Sequence, residues 1–150
     1  FGQAQFIPSS FRAYAVSFDG NDECDLWNSV PDALASIANY LRVHGWQFNT
    51  PIYAEIGHEL KSRHLIAAME KGRKGRVAWK TVKEAQKKDI PASPKNMPLS
   101  IIDLKLDPKH SKHTYRYVAG YPNFHTITEY NHSNMYAMAV TELAEAFTKK

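Results

Sequence analysis

The sequence lacks features on which several classes of protein depend. It has one cysteine in 150 residues, Cys24, which excludes a scaffold of internal disulfides. It has no apolar run near the roughly 18 residues that a membrane-spanning helix requires. Hydrophobic residues still make up 43% of the chain, enough for a core, so intrinsic disorder is also excluded. These observations predict a soluble, folded chain.

The N-terminus also lacks a recognisable leader. The first residue is Phe1 rather than methionine, and neither the basic nor the apolar region of a signal peptide is present. We expect a cut or processed start, with targeting information and further functional residues upstream.

The histidines and the cysteine form no recognisable reactive motif. His58-Glu59 lacks the second histidine of an HExxH zinc motif, and His110 with His113 lacks a partner pair. Cys24 has no adjacent base and lies among acidic residues, so we interpret it as an inert thiol. The sequence therefore predicts neither zinc chemistry nor a thiol nucleophile.

Charge is distributed unevenly along the chain. Residues 61–113 contain fourteen Lys and Arg against five acidic residues, whereas residues 1–60 contain two against seven. A basic segment is typical of proteins that contact nucleic acid or another polyanion. Trp79 is the one aromatic residue near the basic cluster that begins at Lys71, which favours the alternative of a solvated, lysine-rich helix face.

Apolar spacing and turn residues predict a mainly helical α+β chain in three segments, residues 1–51, 52–126 and 127–150. The outer two segments are expected to pack together around the middle one, a small mixed helix and strand insertion. The predicted helices cover 32–44, 54–69, 81–88 and 133–149, and the predicted strands cover 100–106 and 114–119.

Oxygen-bearing side chains recur through residues 17–28 at the positions used by an EF-hand calcium loop. Three positions depart from that loop, because serine comes first, Asp22 replaces the glycine and Asn28 replaces the bidentate carboxylate. An acidic turn before a helix is the alternative interpretation, and we expect a weak or empty site. The candidate ligands are Ser17, Asp19, Asn21, Glu23, Asp25 and Asn28.

Carbohydrate cleavage needs a carboxylic acid with a raised pKa, and flat aromatic faces suit the binding of sugar rings. Four acids, Glu55, Glu59, Glu84 and Glu129, show no recognisable pairing, so none is assigned a catalytic role. The tyrosines fit a sugar cleft and a packed core equally well: Tyr40, Tyr115, Tyr117, Tyr121, Tyr130 and Tyr136.

The first eleven residues, FGQAQFIPSSF, resemble the GxxQFMPSS(F/Y) signature of the lytic murein transglycosylase B family. Further blocks agree in the same order: YAV at 14–16, LW at 26–27, ANYL at 38–41, HGW at 44–46, YPNF at 121–124, ITEYNHS at 127–133 and YAMAV at 136–140. The resemblance extends over nearly the whole chain and is looser between residues 52 and 112.

The resemblance implies a lysozyme-like, largely helical core and an activity on peptidoglycan. Members of this family cleave the bond between N-acetylmuramic acid and N-acetylglucosamine, using one glutamate as acid and then as base. The C6 hydroxyl of the sugar, rather than water, closes a 1,6-anhydro ring. That glutamate precedes the signature, so it is expected upstream of Phe1, and the isolated 150 residues are expected to be inactive. No cofactor is required, and calcium is the ion that the family's loop would bind.

The resemblance also implies which residues contact substrate. The glutamine of the signature falls on Gln5, whose amide would fix an acetamido or hydroxyl group. The other matching positions in the family's cleft are Tyr40, Tyr130, Asn131 and Tyr136. The expected partner is a peptidoglycan glycan strand rather than nucleic acid.

Family analogy predicts a monomer in the periplasm, with a lipid anchor to the outer membrane in the full-length protein. Two other hypotheses stay open on the sequence alone. One is a non-catalytic peptidoglycan-binding module that uses the same cleft residues. The other is a polyanion-binding domain that uses the basic segment.

Overall fold

The computed structural model describes residues 2–5, 7–20 and 23–148, apart from the side chains at positions 3 and 8. The backbone forms two compact units, residues 1–46 and 47–150. The three-part division at residues 51 and 126 rests on sequence signals rather than on packing, and it stays a prediction.

The first unit contains a 3₁₀ turn over Gly2–Ala4 and two helices, α1 (Pro8–Tyr14) and α2 (Val30–Val43). Helix α2 begins after Ser29, whose Oγ accepts a hydrogen bond from the N–H of Asp32 at 3.2 Å. Pro31 suits the first turn because its missing N–H has no intrahelical partner to lose. The chain leaves the helix through Gly45, which has a φ of 97°.

Two buried polar side chains of α2 hold the segment that precedes the helix. Asp32 Oδ1 accepts from the N–H of Phe18 at 2.8 Å, and its Oδ2 accepts from the N–H of Asp25 at 3.0 Å. The hydroxyl of Ser36 accepts from the N–H of Val16 at 2.9 Å and donates to the Val16 carbonyl at 3.1 Å. Buried polar groups need such partners, so this network fixes both ends of the acidic loop against α2.

The second unit is built on a three-stranded antiparallel sheet of order β1-β3-β2. Its strands are β1 (Tyr53–Gly57), β2 (Ser100–Lys105) and β3 (Tyr115–Gly120), and its helices are α3 (Arg63–Glu70), α4 (Trp79–Gln86), α5 (Pro122–Tyr130) and α6 (Asn134–Thr148). The main core of this unit consists of Ile56, Leu65, Ala68, Val77, Val82, Ile90, Leu99, Ile101, Ala119 and Tyr121.

The predicted helix over residues 54–69 is wrong in its first half. Residues up to Gly57 form β1, paired with β3, and helix α3 begins only at Arg63, where Ser62 Oγ accepts from the N–H of His64 at 3.2 Å. Ile56 is fully buried while Glu55 is exposed, which is the alternation of a strand. The apolar spacing fits a helix locally, but pairing with a strand far later in the chain determines the structure.

Gln86 joins β1, α3 and α4. Its side chain is buried, and Nε2 donates to the carbonyl oxygens of Ile56 at 2.7 Å and Glu59 at 2.8 Å. Its Oε1 accepts from the N–H of Lys61 at 2.8 Å. One amide therefore satisfies three backbone groups in the connection between β1 and α3.

The other predicted elements are confirmed with ends that differ by one or two residues. Helices α1 and α5 were not predicted, although α5 begins at Pro122, a residue favoured at the first helical position. The mainly helical α+β class is confirmed. No helix among the described residues is long and apolar enough to cross a membrane.

Candidate functional site

Gln5 occupies a strained turn at the start of the first unit. Its φ is 54°, in the left-handed region, which costs a non-glycine residue roughly 1–3 kcal/mol. The backbone N–H donates to the carbonyl of Gly2 at 3.2 Å, and the side-chain Nε2 donates to the same oxygen at 2.8 Å. The Gln5 side chain is exposed, so its amide can exchange this bond for one to a ligand.

Gly2 makes this turn possible. Its φ is +58°, and a Cβ at this position would lie 2.3 Å from the carbonyl oxygen of Leu26, which is fully buried. A side chain at position 2 would therefore displace the turn that presents Gln5.

Tyr40 belongs to an aromatic cluster near the C-terminal end of α2. Its ring stacks on His44 with centroids 4.0 Å apart, and Tyr14 packs edge-on against both rings at 4.9 and 5.0 Å. The Nδ1 of His44 lies 2.8 Å from the Tyr40 carbonyl oxygen, so this nitrogen carries a proton. Tyr40 is 8% exposed, so it offers little surface to a ligand in this arrangement.

In the described part of the 17–28 loop, hydrogen bonds engage three of the predicted calcium ligands, Ser17, Asp19 and Asp25. Asp25 Oδ1 accepts from the N–H groups of Trp27 and Asn28 at 2.9 and 3.0 Å. Hydrogen bonds from Asn28 and then Trp27 lower the pKa of Asp25. Ser17 Oγ donates to Asp19 at 2.6 Å.

The structure also bears on the metal ligands predicted in this loop. Within the described ranges, no three His, Cys, Asp or Glu side chains form a group that could hold a metal. The predicted ligand Asn21 lies outside the described residues.

Tyr130, Asn131 and Tyr136 lie together at the turn between α5 and α6. The N–H of Asn131 closes α5 on the carbonyl of Ile127 at 3.2 Å, and Ser133 Oγ caps α6 by accepting from the N–H of Tyr136 at 3.1 Å. Asn131 is exposed, Tyr136 is 37% exposed and Tyr130 is half-buried. Three of the five predicted substrate-binding residues therefore share one surface turn of the second unit.

Tyr121, in contrast, belongs to the core. It is 1% exposed, its hydroxyl donates to the carbonyl of Pro91 at 2.5 Å, and burial raises its pKa to about 12. The alternative of core packing is therefore the right one for this tyrosine.

Glu129 forms part of a charged network on α5. It accepts from Arg73 at 2.8 Å, and His125 Nε2 lies 3.1 Å from the same oxygen. Burial raises the pKa of Glu129, but the charge and the hydrogen bond of Arg73 are the main opposing causes, and the net pKa is lowered. A general acid needs a raised pKa, so Glu129 is poorly suited to that role.

Glu55 is also held in an ion pair. It accepts from Arg116 Nε at 2.8 Å, and the same guanidinium donates to Glu142 on α6 at 2.6 Å. The arginine joins β3, β1 and α6, which is a structural role. Neither of these glutamates is arranged like a catalytic acid.

The network around His125 is not predicted by the sequence as a whole, because it joins residues that are distant along the chain. Burial, followed by the charges of Arg76 and Arg73, lowers the pKa of His125, while Glu129 opposes that shift. The spacing of His125 and Glu129 on one helix face is visible in the sequence. The arginines come from a loop about 50 residues earlier, and local patterns do not show that contact.

The profile of the family described as Transglycosylase SLT domain matches residues 1–145. The chain belongs to this family. It is 35% identical over 145 residues to membrane-bound lytic murein transglycosylase B of Escherichia coli K12. The matched region covers 97% of this chain and 37% of that protein. The resemblance to the lytic murein transglycosylase B family is therefore confirmed.

Solved structures of the family have the same fold. Catenated lytic transglycosylase SltB1 of Pseudomonas aeruginosa matches with a TM-score of 0.78 and 33% identity, over 97% of this chain and 45% of that one. SltB3 of the same organism, solved in complex with NAG-anhNAM-pentapeptide, matches with a TM-score of 0.73 and 32% identity, over 97% and 38%. The predicted lysozyme-like class is confirmed, and the chain spans less than half the length of each of these relatives.

Proposed function

We propose that this chain is part of a peptidoglycan lytic transglycosylase that cleaves the bond between N-acetylmuramic acid and N-acetylglucosamine. The observation that carries the proposal is the family match over residues 1–145, which includes the signature around Gln5. The similar SltB3 was solved in complex with NAG-anhNAM-pentapeptide, an anhydro-sugar with its peptide. It supports the same reaction class for this protein.

In the proposed mechanism, the residues of this chain bind and orient the glycan. The exposed amide of Gln5 gives up its bond to Gly2 and holds an acetamido or hydroxyl group of the sugar. Tyr130 and Tyr136 supply aromatic faces, Asn131 supplies an amide, and Tyr40 contributes the small exposed part of its side chain. Such groups raise the rate by fixing the geometry of the reacting bond.

The chemical steps need one carboxylic acid, which we assign to a glutamate N-terminal to the signature, outside these 150 residues. It protonates the glycosidic oxygen as the bond to C1 breaks, and its carboxylate then takes the proton from the C6 hydroxyl as that oxygen attacks C1. No water is consumed. The ion pairs of Glu55 and Glu129 support this assignment.

Mass spectrometry of muropeptides released from purified murein tests the proposal. We expect the full product of the gene to release anhydro-muropeptides, lighter than hydrolytic products by one water, and the 150-residue chain alone to release none. Glu55→Gln and Glu129→Gln should retain the product. Anhydro product from the isolated chain, with loss in one of these variants, would instead place the acid inside it.

A non-catalytic peptidoglycan-binding module is the second candidate, and the absence of a suitably arranged acid at Glu55 or Glu129 favours it. Gln5→Ala separates the two, because a binding module should lose affinity, whereas an enzyme should lose mainly kcat. We further propose that the protein acts as a monomer in the periplasm, with lipid anchorage at the outer membrane, and that it requires no cofactor and binds no nucleic acid.

A further inference from the structure

A basic pocket lies in the second unit, on the side of α3 and α4. Its cavity of about 330 Å³ is lined by His64, Ala67 and Ala68 of α3, Lys71 at the end of that helix, Arg76 and Val77 of the following loop, and Thr81 of α4. Three of these side chains are basic and none is acidic. The remaining lining is methyl groups and one hydroxyl.

Gly75 places Arg76 at the pocket wall. Gly75 is buried, and a Cβ at this position would lie 1.9 Å from the carbonyl oxygen of Ala68, so the loop can approach α3 only without a side chain there. On the other side of Arg76, Val77 exchanges two backbone hydrogen bonds with Leu99, at 2.8 and 2.7 Å. The backbone on both sides of Arg76 is therefore fixed.

The guanidinium of Arg76 is fixed as well. Its NH1 donates to the carbonyls of Arg73 and Gly75, and its NH2 lies 3.0 Å from His125 Nδ1. An arginine has no acceptor, so it donates to Nδ1, and Nε2 of the neutral ring donates to Glu129. The side chain is preorganised before any ligand arrives.

The positive charge of this region is not neutralised within the described residues. Glu129 is engaged by Arg73 and His125, and no described carboxylate lies within 4.0 Å of Arg76 or Lys71. The Nε of Arg73 is buried and has no hydrogen-bond partner among the described atoms. Burial and the charge of Arg73 lower the pKa of Arg76. Hydrogen-bond donors and positive charges outnumber the carboxylates around the pocket, so an anion bound there would be stabilised.

We propose that this pocket binds the terminal carboxylate of a short peptide. Arg76 and Lys71 pair with the carboxylate, and Ala67, Ala68 and Val77 contact a methyl-sized side chain beside it. The volume is at the low end for small-molecule sites, which suits one or two residues rather than a disaccharide. This inference rests on the proposed function, because the peptide would be one attached to the glycan, as in the NAG-anhNAM-pentapeptide bound to the similar SltB3, and the methyl-sized side chain would be that of a terminal alanine.

Nuclear magnetic resonance titration of the ¹⁵N-labelled chain tests the pocket directly. The probes are N-acetyl-D-alanyl-D-alanine, the same dipeptide with an amidated C-terminus, and inorganic phosphate. We expect saturable shifts of amides between residues 64 and 81 with the acid, none with the amide and weaker binding of phosphate. Equal binding of acid and amide, or phosphate binding as tight as the peptide, would overturn the assignment.

Substitutions test whether the dipeptide binds through Arg76 and Lys71. Arg76→Gln and Lys71→Gln should each weaken binding of the acid roughly tenfold or more, since each removes a charged hydrogen-bond donor. Lys71 is exposed, so its variant keeps the test valid where Arg76→Gln does not fold. The matched control is Lys74→Gln, a neighbouring exposed lysine outside the pocket, which should bind as the unmodified chain does. An equal loss in that control would mean diffuse charge attraction and would refute the pocket.

A final comparison separates this inference from the proposed function. The full gene product is given intact murein and glycan strands stripped of their peptides by an amidase. Anhydro product formed equally from both, with no dipeptide binding, would overturn the pocket and leave the transglycosylase standing. Dipeptide binding without anhydro product from either would retain the pocket and overturn the transglycosylase.

Discussion

Asn123 holds the backbone of Gln47 at both of its polar groups. The side-chain Oδ1 accepts from the N–H of Gln47 at 2.7 Å, and Nδ2 donates to the Gln47 carbonyl at 2.7 Å and to Thr50 Oγ1 at 3.0 Å. Asn123 is 1% exposed, so these bonds form away from water. The asparagine of the YPNF block therefore fixes the start of the second unit to α5.

Replacing Asn123 with alanine should lower the free energy of unfolding by about 1–3 kcal/mol, because it removes the partner of the Gln47 N–H and one of the two donors to the Gln47 carbonyl, which keeps only the Thr50 hydroxyl. Urea denaturation monitored by circular dichroism measures the change. Asn131→Ala is the matched control, since that side chain is exposed, and its effect should stay within about 0.5 kcal/mol. Equal effects in the two variants would contradict the proposed role of Asn123.

The network around His125 predicts a pH dependence of stability. Arg73, Arg76 and Glu129 face this ring, and burial is the largest cause of its lowered pKa. The unfolded chain therefore binds a proton near the ordinary histidine pKa of 6.5, while the folded chain resists it. Stability from this group is complete above that pH and is lost as the pH falls toward the lowered folded pKa.

Urea midpoints measured between pH 7.5 and pH 5 check this expectation. The unmodified chain should lose more stability over this range than His125→Gln, whose amide keeps an acceptor for Arg76 and a donor for Glu129 but does not titrate. Other histidines contribute to both chains alike, so the difference isolates this ring. Parallel curves for the two chains would contradict the prediction.

Gln5→Ala should reduce kcat of the full gene product by at least roughly tenfold, because one hydrogen bond that positions the sugar is lost. Its effect on the free energy of unfolding should be small, since the side chain is exposed. Initial rates of anhydro-muropeptide release and urea denaturation give the two values. A rise in KM with unchanged kcat would favour a binding role alone.

Removal of divalent ions should leave both activity and thermal stability unchanged. In the described part of the 17–28 loop, Asp25 accepts two backbone N–H groups and Asp19 accepts from the Ser17 hydroxyl, and no three His, Cys, Asp or Glu side chains among the described residues form a metal-binding group. Anhydro product release and the melting temperature are measured in EDTA and in millimolar calcium. An increase in melting temperature with calcium would show that the ion binds the folded state, and the prediction would be wrong.

Local sequence signals predict the elements that are determined locally. Ser29, Pro31 and Gly45 mark α2, and its buried face follows from helical spacing. Strand β1 was not predicted, because its hydrogen bonds come from β3, which the apolar pattern around Ile56 does not reveal.

The candidate site also has parts that local sequence predicts and parts that depend on distant contacts. Gln5 and Asn131 are predicted to bind substrate because they lie in family blocks, and this stays a prediction. The structure adds the strained backbone of Gln5 and the turn that holds Asn131. The sequence does not predict the basic pocket, although Lys71 belongs to a basic cluster that the sequence shows. Its shape depends on the approach of Gly75 to Ala68, a tertiary contact that residue type alone does not specify.

The carboxylate of Asp32 receives amide N–H groups from Phe18 and Asp25, on either side of the acidic loop. The loop thus points partial positive charge inward at this place, as an anion-binding nest does, whereas a cation cage must point oxygens inward. The helix supplies the anion from its own first turn, where the dipole favours a negative charge. The positions of Phe18 and Asp25, at the two described ends of this loop, are therefore set by a carboxylate of α2.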